Sequence, residues 1–435
     1  MDFKGLDILV LGYGESGKGA VGLLKKMQAN VYVYCDEPLD IEDKSVTKTD
    51  RLDKDYFFAV ASPSFSFAHE AVKRLRMNNI RVIGEIELGY ICCPSSIVAV
   101  TGTNGKSTVV SLSANLLKRA GVNAISCGNF GIAFSKVAST CGPYDVPIVE
   151  VSSFQLEAIE NFSPDIAIIT NISKDHMDRY SDYEEYIAAK KNIFKNQLPG
   201  DILIANYDDE QVRAMANETL SEVFYFSRKE KVNGAYLDNG DIVYTAENKK
   251  IRLCNVKDIY SDYPFEIENC LAVITLGGVL NIPSAVILES VRSYQGLPHR
   301  MQPAGEYGGK KYYNNSKATN VAGSLASVNA VKDDCLLILG GSSKNEDFNE
   351  LFAKLPDNVK HIAICGANAR VIQNVAVKYN KISEVFSSLE EIIRYSKSLS
   401  DIKAVVYAPG SASFDKYSNF EERGLVFCEL VKGLN

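Results

Sequence analysis

Short apolar runs recur along this chain, each four or five residues long and each ending in a glycine-rich or polar turn. Ile8-Leu9-Val10-Leu11, Val31 to Cys35 and Phe57 to Ala61 are the first three. Continuous runs of this length read as parallel strands buried on both faces, and the stretches between them have helical spacing. The same rhythm continues with strands expected at Ile97 to Val100, Ala124 to Cys127, Pro147 to Val151 and Ile166 to Thr170. From Gly200 to Lys257 the pattern becomes strand-rich, with a hairpin expected at Asp238-Asn239-Gly240, where Asn-Gly suits a tight turn. A helix over Glu266 to Leu280 follows. A third α/β pattern then begins, with strands at Cys335 to Leu339, His361 to Cys365 and Ala404 to Tyr407.

Two of the turns carry chemistry. Thr101-Gly102-Thr103-Asn104-Gly105-Lys106-Ser107-Thr108 lies between a strand and a helix whose apolar positions begin at Val109. Glycines there let backbone N–H groups turn inward around an anion, and the helix N-terminus favours negative charge. Lys106 is placed to reach terminal phosphates and Ser107 to offer its hydroxyl to Mg²⁺. Val100 stands where the full phosphate-loop pattern has its first glycine, so this is a shortened form that binds a nucleoside triphosphate. Gly12-Tyr13-Gly14-Glu15-Ser16-Gly17, with the acidic Asp36 about twenty positions on, fits the dinucleotide fingerprint. Gly19 replaces the hydroxyl residue that would take a metal. That loop suits a diphosphate without bound Mg²⁺, from either a nicotinamide or a sugar nucleotide.

Composition narrows the field. The chain has 435 residues, 46% hydrophobic and 23% charged, with a net charge of −7, which fits about three ordinary globular domains. No basic stripe invites a nucleic acid. Ten cysteines show no metal-binding spacing and point to a reducing compartment. The charged Met1 to Asp7 segment is unlike a signal peptide, and no apolar run reaches a membrane span. A cytoplasmic protein is expected.

Two further residues stand out, and a third has an ordinary reading on its own. Glu150 is a carboxylate near the end of a buried strand. It calls for a cation, for which Mg²⁺ at the phosphate loop is a candidate, or else it caps the next helix. His176, one of only four histidines, lies in a polar strand-end loop and is a candidate for metal or substrate. Lys190 follows on a helix, where a lysine would ordinarily be solvated.

Taken in order, Thr101 to Thr108, Gly128-Asn129-Phe130-Gly131, Glu150 to Glu157, Asp175-His176-Met177-Asp178-Arg179-Tyr180, Leu297-Pro298-His299-Arg300 and Ser316-Lys317-Ala318-Thr319-Asn320 resemble the Mur ligase family over essentially the whole chain. Ser152 to Glu157 most resembles its D-glutamate-adding branch. The resemblance implies an α/β fold of three domains: a Rossmann-like UDP-sugar-binding domain (1–93), a central P-loop ATPase-like domain (94–297) and a Rossmann-like amino-acid-binding domain (298–435). It selects the sugar nucleotide for the first loop, with Gly14, Glu15, Ser16 and Asp36 as contacts. ATP would be held by Gly102, Thr103, Asn104, Gly105, Lys106, Ser107, Thr108, Asn269, Arg300 and Asn315. Mg²⁺ would be held by Ser107, Glu150, His176 and Lys190, the last carrying a carbamate formed with CO₂. A carbamate offers the anionic oxygen that a hard cation prefers. Asn129 would face the muramoyl substrate. Thr319, Lys344, Ser413, Phe414 and Phe420 would surround D-glutamate, and Lys344 also makes physical sense as a cation for a second carboxylate.

The implied activity is ATP-dependent addition of D-glutamate to UDP-N-acetylmuramoyl-L-alanine in peptidoglycan precursor synthesis, by a monomer without nucleic-acid or membrane partners. Alternatives are a Mur ligase adding another amino acid, a non-catalytic nucleotide-binding relative, or a nicotinamide oxidoreductase built on the first loop. Departures from the family pattern are Ser64 for a glycine, Phe265-Glu266 for a His-Asn pair on the adenine side, Asn315 for an aspartate near the ribose, and Ser343 for the aspartate before Lys344.

Overall fold

The computed structural model describes residues 2–36, 43–177, 179–246, 249–259, 263–342 and 346–434. Ser343, Lys344 and Asp178 lie outside them. The chain forms three sheets and groups into two compact units: 1–172 with 184–262 and 266–294, and 173–183 with 263–265 and 295–435.

The first unit holds two sheets. One is an all-parallel sheet of five strands in the order Thr47–Lys48, Asn30–Tyr34, Asp7–Leu11, Phe58–Ala61, Val82–Gly84. Ile8 to Leu11 are wholly buried, as the apolar run requires, whereas Phe57, expected to open its strand, is 61% exposed and lies before the strand that forms, Phe58–Ala61. The helix Glu15–Lys26 buries Gly17, Gly19, Ala20, Val21, Leu23 and Leu24 on one face.

The other sheet has nine strands; Val98–Thr101 lies third from one edge, with Ile166–Ile169 on one side and Val146–Glu150 on the other. Ala124–Gly128 closes one edge. On the opposite side Ile202–Asn206 and Glu222–Ser227 extend it in parallel. Three further strands, Gly234–Asp238, Asp241–Ala246 and Lys249–Asn255, run antiparallel to one another. The Asn-Gly turn between the first two has both residues at positive φ, 53° and 85°, as a primed hairpin turn demands. Helix Lys106–Arg119 and the apolar helix Pro264–Val279 supply much of this core: Leu112, Leu116, Leu271, Ile274 and Leu276 have no exposed surface.

The second unit is built on six strands ordered Gln302–Tyr307, Lys310–Asn314, Ala404–Tyr407, Cys335–Leu339, Val359–Ile364, Ser383–Val385. All pairs are parallel except the first, a hairpin turned at Gly308-Gly309 (φ 58° and 74°). That hairpin was not expected from the chain's apolar pattern, because Pro303 and Gly305 interrupt it. No helix among the described residues is long and apolar enough to cross a membrane.

Candidate functional site

In the first unit the second glycine loop is clamped to the strand end beside it. The Thr103 N–H donates to the Asn171 carbonyl at 2.8 Å and the Asn104 N–H to Asn171 Oδ1 at 2.9 Å. Thr170 Oγ1 and Asn171 Nδ2 both donate to the Asn104 carbonyl, at 2.6 and 3.0 Å. Gly102 and Gly105 lie at φ 142° and 87°. A Cβ on Gly102 would collide with Thr170 Oγ1, and one on Gly105 would come within 2.5 Å of Asn269 Oδ1. Both glycines are therefore required by shape as well as by φ. Gly105 caps helix Lys106–Arg119 without any side-chain cap, which leaves the first-turn N–H groups for an anion. Ser107 and Thr108 are buried in that turn.

Lys106 folds back on its own loop, donating to the Gly102 and Thr103 carbonyls at 3.0 and 2.9 Å. Lys190 also donates to the Gly102 carbonyl, at 2.8 Å, and lies 4.8 Å from the centre of the Tyr186 ring. The solvated-lysine reading fails here, since Lys190 is 2% exposed. The Tyr186 hydroxyl is 3.0 Å from Thr103 Oγ1. Lys106, Lys190 and Tyr186 thus gather on one loop. Burying an ammonium is costly without strong acceptors, and the Gly102 carbonyl and the Tyr186 ring are partners that offset that cost.

Glu150 is 1% exposed. Asn129 Nδ2 donates to its Oε1 at 2.8 Å, while its buried Oε2 has no hydrogen-bond partner among the described residues. It does not cap the following helix. Ser152 does that, in a capping box with Gln155: the Gln155 N–H donates to Ser152 Oγ, and Ser152 N–H donates to Gln155 Oε1 at 3.0 Å. A buried carboxylate oxygen with no donor fits a cation. Among the described residues, no group of three or more His, Cys, Asp or Glu side chains is placed to hold a metal ion. Asn269 Nδ2 donates at 2.9 Å to Glu266, one of the departures from the family pattern.

The first glycine loop, in the same unit, is shaped by contact with itself. Gly12 has φ 86°, and a Cβ on Gly17 would collide with the Gly12 carbonyl, whereas one on Gly14 would meet nothing within 4 Å. Gly14 caps helix Glu15–Lys26 with no side-chain bond, and Glu15 and Ser16 occupy its first turn. Asp36 follows the neighbouring strand and is exposed.

The second unit carries the remaining expected residues. His176 has φ 58°, and its Nε2 lies 3.8 Å from Asp175, whose carboxylate accepts from Asn320 Nδ2 at 3.0 Å. Asn315 is buried and donates to Ser327 Oγ at 2.6 Å. Arg300 is half-buried, and its Nε has no partner among the described residues. Thr319 is half-buried, Ser413 is buried and Phe414 is 71% exposed. The Phe420 carbonyl accepts from Ser316 Oγ at 2.9 Å, and Lys317 Nζ sits 4.0 Å from its ring centre. Lys344 lies outside the described residues.

One residue escaped the sequence reading. Arg423, 1% exposed, donates to Ser316 Oγ (3.0 Å), the Ser316 carbonyl (2.8 Å) and the carbonyls of Ser411 and Ala412 (3.0 and 2.9 Å). Burial pulls its pKa below the usual guanidinium value, with the electrostatic fields of Tyr407 and Asp415 opposing. Four fixed bonds from one planar group tie together the loops that bear Thr319 and Ser413. In sequence it looks like any helix-surface arginine.

Residues 100–277 match the model of the Mur ligase middle domain. Over 452 aligned residues, the whole of both chains, this protein is 32% identical to the UDP-N-acetylmuramoylalanine--D-glutamate ligase of Thermoanaerobacter sp. (strain X514). This chain belongs to the Mur ligase family. The ligase of the same name from Lactococcus lactis subsp. lactis (strain IL1403) is 34% identical, covering 99% of this chain and 98% of its own. Among solved Mur ligases, MurF from Thermotoga maritima in complex with ADP superposes with a TM-score of 0.62 over 99% of this chain and 96% of that one, at 13% identity. That last likeness is one of fold.

Proposed function

We propose that this Mur ligase joins D-glutamate to UDP-N-acetylmuramoyl-L-alanine at the expense of ATP, in peptidoglycan precursor synthesis in the cytoplasm. The observation that carries the reading is the end-to-end match to proteins named as D-glutamate ligases. The geometry supports the chemistry. The loop Gly102 to Thr108 offers backbone N–H groups, a helix N-terminus and Lys106 to the phosphates of ATP, which Arg300 would also meet, while Asn269 and Asn315 would meet the adenosine.

The alanine carboxylate attacks the γ-phosphorus and ADP leaves, giving an acyl phosphate. The D-glutamate amine then attacks the carbonyl carbon, loses a proton, and phosphate departs from the tetrahedral intermediate. Phosphate is a far better leaving group than carboxylate oxygen, so the first step makes the second accessible. The chain's part is positioning and charge neutralisation. Lys106 would exchange its two loop carbonyls for phosphate oxygens. The buried Glu150 carboxylate holds Asn129, the residue proposed to meet the muramoyl group.

The unpaired Glu150 Oε2 fits Mg²⁺, which Ser107, Glu150 and a Lys190 carbamate would hold. His176 is a further proposed ligand. When bound, the ion supplies positive charge for the oxygens of the transferring phosphoryl group. The proposed division of labour gives 1–93 the UDP-sugar through Gly14, Glu15, Ser16 and Asp36, gives 94–297 the ATP, and gives 298–435 the amino acid through Thr319, Lys344, Ser413, Phe414 and Phe420. We assign a monomer without nucleic-acid partners.

The test is ADP release with the muramoyl substrate and a panel of amino acids. D-Glutamate should stimulate it and L-lysine should not. Stimulation by L-lysine alone would make this a Mur ligase of different specificity. No stimulation by any amino acid would leave a nucleotide-binding relative.

A further inference from the structure

Beside the first glycine loop, Asp36 belongs to a polar cluster whose other members have no role in the reading above. Asp36 stands two residues beyond strand Asn30–Tyr34. Its Oδ2 is 3.0 Å from His69 Nε2, and its Oδ1 accepts from the Tyr34 hydroxyl at 3.2 Å. His69 is the N-cap of helix Glu70–Met77, and its Nδ1 accepts the Ala71 N–H at 3.2 Å. A ring nitrogen that accepts carries no proton, so the neutral ring carries its proton on Nε2 and points it at Asp36. The helix cap thereby sets the tautomer.

Rings hold the rest of the cluster. His69 lies 4.5 Å from Phe65, centre to centre, and Phe65 meets Tyr34 nearly edge-on at 6.2 Å. Both donors to Asp36 are therefore braced by the same phenyl ring. The carboxylate itself is 51% exposed, against 27% for His69. Each carboxylate oxygen keeps a lone pair free for a further donor.

We propose that His69 is a positioning residue for the nucleoside end of the sugar nucleotide. With Tyr34 it turns Asp36 so that the open lone pairs of its carboxylate accept from the N–H or O–H donors of a nucleoside. This rests on the reading that Asp36 and the Gly12 to Gly17 loop bind the UDP-sugar. Asp36 sits on an exposed strand end, where an unbraced side chain would have to be immobilised on binding. Pre-orientation removes that cost, which corresponds to roughly a three- to tenfold gain in affinity.

His69→Asn separates this role from capping. Asparagine is a good N-cap and keeps an acceptor for the Ala71 N–H, but it is too short to reach Asp36. In the full-length enzyme, KM for the muramoyl substrate should rise about three- to tenfold. The KM values for ATP and D-glutamate and the thermal midpoint should stay near wild type, and kcat should change much less than that KM. UDP titrated by calorimetry should lose affinity by the same factor. His69→Asn added to Asp36→Asn should cost nothing further, because the two act through one carboxylate. Titrations with 2′-deoxy-UDP and N3-methyl-UDP tell ribose donors from the base donor, since the effect of His69→Asn disappears with whichever analogue lacks the donor. If Asp36→Asn leaves UDP affinity unchanged, the underlying reading of Asp36 fails and the proposal with it. If Asp36→Asn weakens UDP but His69→Asn does not, the proposal alone is overturned. A fall in thermal midpoint with all three KM values raised together would reduce His69 to a helix cap and overturn it as well.

Discussion

The two glycine loops of the first unit use one backbone device for two purposes. Each follows a buried parallel strand and opens a helix whose N-cap is a glycine with no side-chain bond. What differs is the set of side chains delivered to each. The Gly102 to Thr108 loop carries Lys106 and Ser107 and accepts a hydrogen bond from Lys190 of the helix Tyr183–Lys191, and the same sheet carries a buried carboxylate with an unpaired oxygen. The Gly12 to Gly17 loop has Gly19 where a hydroxyl would sit, and its strand-end acid is exposed and already braced by two donors. Backbone N–H groups suffice for an anion that only has to be bound. Charge that shifts during a reaction needs cations nearby.

The sharpest way to break this contrast is Lys106→Ala. Loss of one electrostatic stabiliser should lower kcat by at least about a hundredfold, measured as ADP release from a variant shown by circular dichroism to be folded. UDP binding, proposed to depend on the other loop, should not change. Wild-type turnover would make the two loops equivalent.

Lys190→Ala comes next. Most activity should vanish, and acetate should restore part of it by supplying the missing carboxylate oxygen. Lys191 pairs with Glu218 on the exposed side of the same helix, so Lys191→Ala should retain activity. Failure of acetate to rescue, with an inactive Lys190→Ala, would leave Lys190 as an ammonium acting on the loop and remove the carbamate.

Metal removal sharpens the comparison from another direction. EDTA should abolish ATP turnover while leaving UDP titration unaltered. Glu150→Gln should raise the Mg²⁺ concentration needed for half-maximal activity by about tenfold, in line with the loss of a supporting metal contact. An unchanged Mg²⁺ curve would return Glu150 to the role of a mere partner for Asn129.

The smallest effects are expected within the first loop. Gly17→Ala places a methyl against the Gly12 carbonyl and should cost about 1–3 kcal/mol in urea unfolding. Gly14→Ala meets no atom within 4 Å and should stay within about 0.5 kcal/mol of wild type. It should nevertheless raise KM for the UDP-sugar a few-fold, because the added methyl occupies space proposed for the diphosphate. Equal stability losses at both positions would contradict the open cradle.

Most strands and both glycine loops were legible because buried parallel strands are short unbroken apolar runs and glycines at positive φ leave few alternatives. The hairpin Gln302–Tyr307 with Lys310–Asn314 was not, since Pro303 and Gly305 break the alternation, although Gly308-Gly309 was an available turn signal. Lys190 and Arg423 were hidden for a common reason. A charged residue on a helix is normally solvated, and only the tertiary structure reveals the backbone carbonyls that make its burial tolerable. Lys190 was reached through family resemblance instead. The tautomer of His69 depends on a cap and a ring contact that no one-dimensional pattern contains.

Arg423 has a consequence for the local stability of the second unit. It sits on the last helix, Phe420–Lys432, and its guanidinium spans Ser316 on one loop and Ser411 and Ala412 on another. Fraying of this helix and loosening of both loops are therefore one cooperative event, a single foldon rather than two. Amide protons at 316, 412 and 420–426 should exchange with deuterium at a common rate, and a D-glutamate concentration that slows one group should slow the others equally. The helix Phe420–Lys432 would then report, from its own exchange, whether the loops proposed to hold the amino acid are assembled.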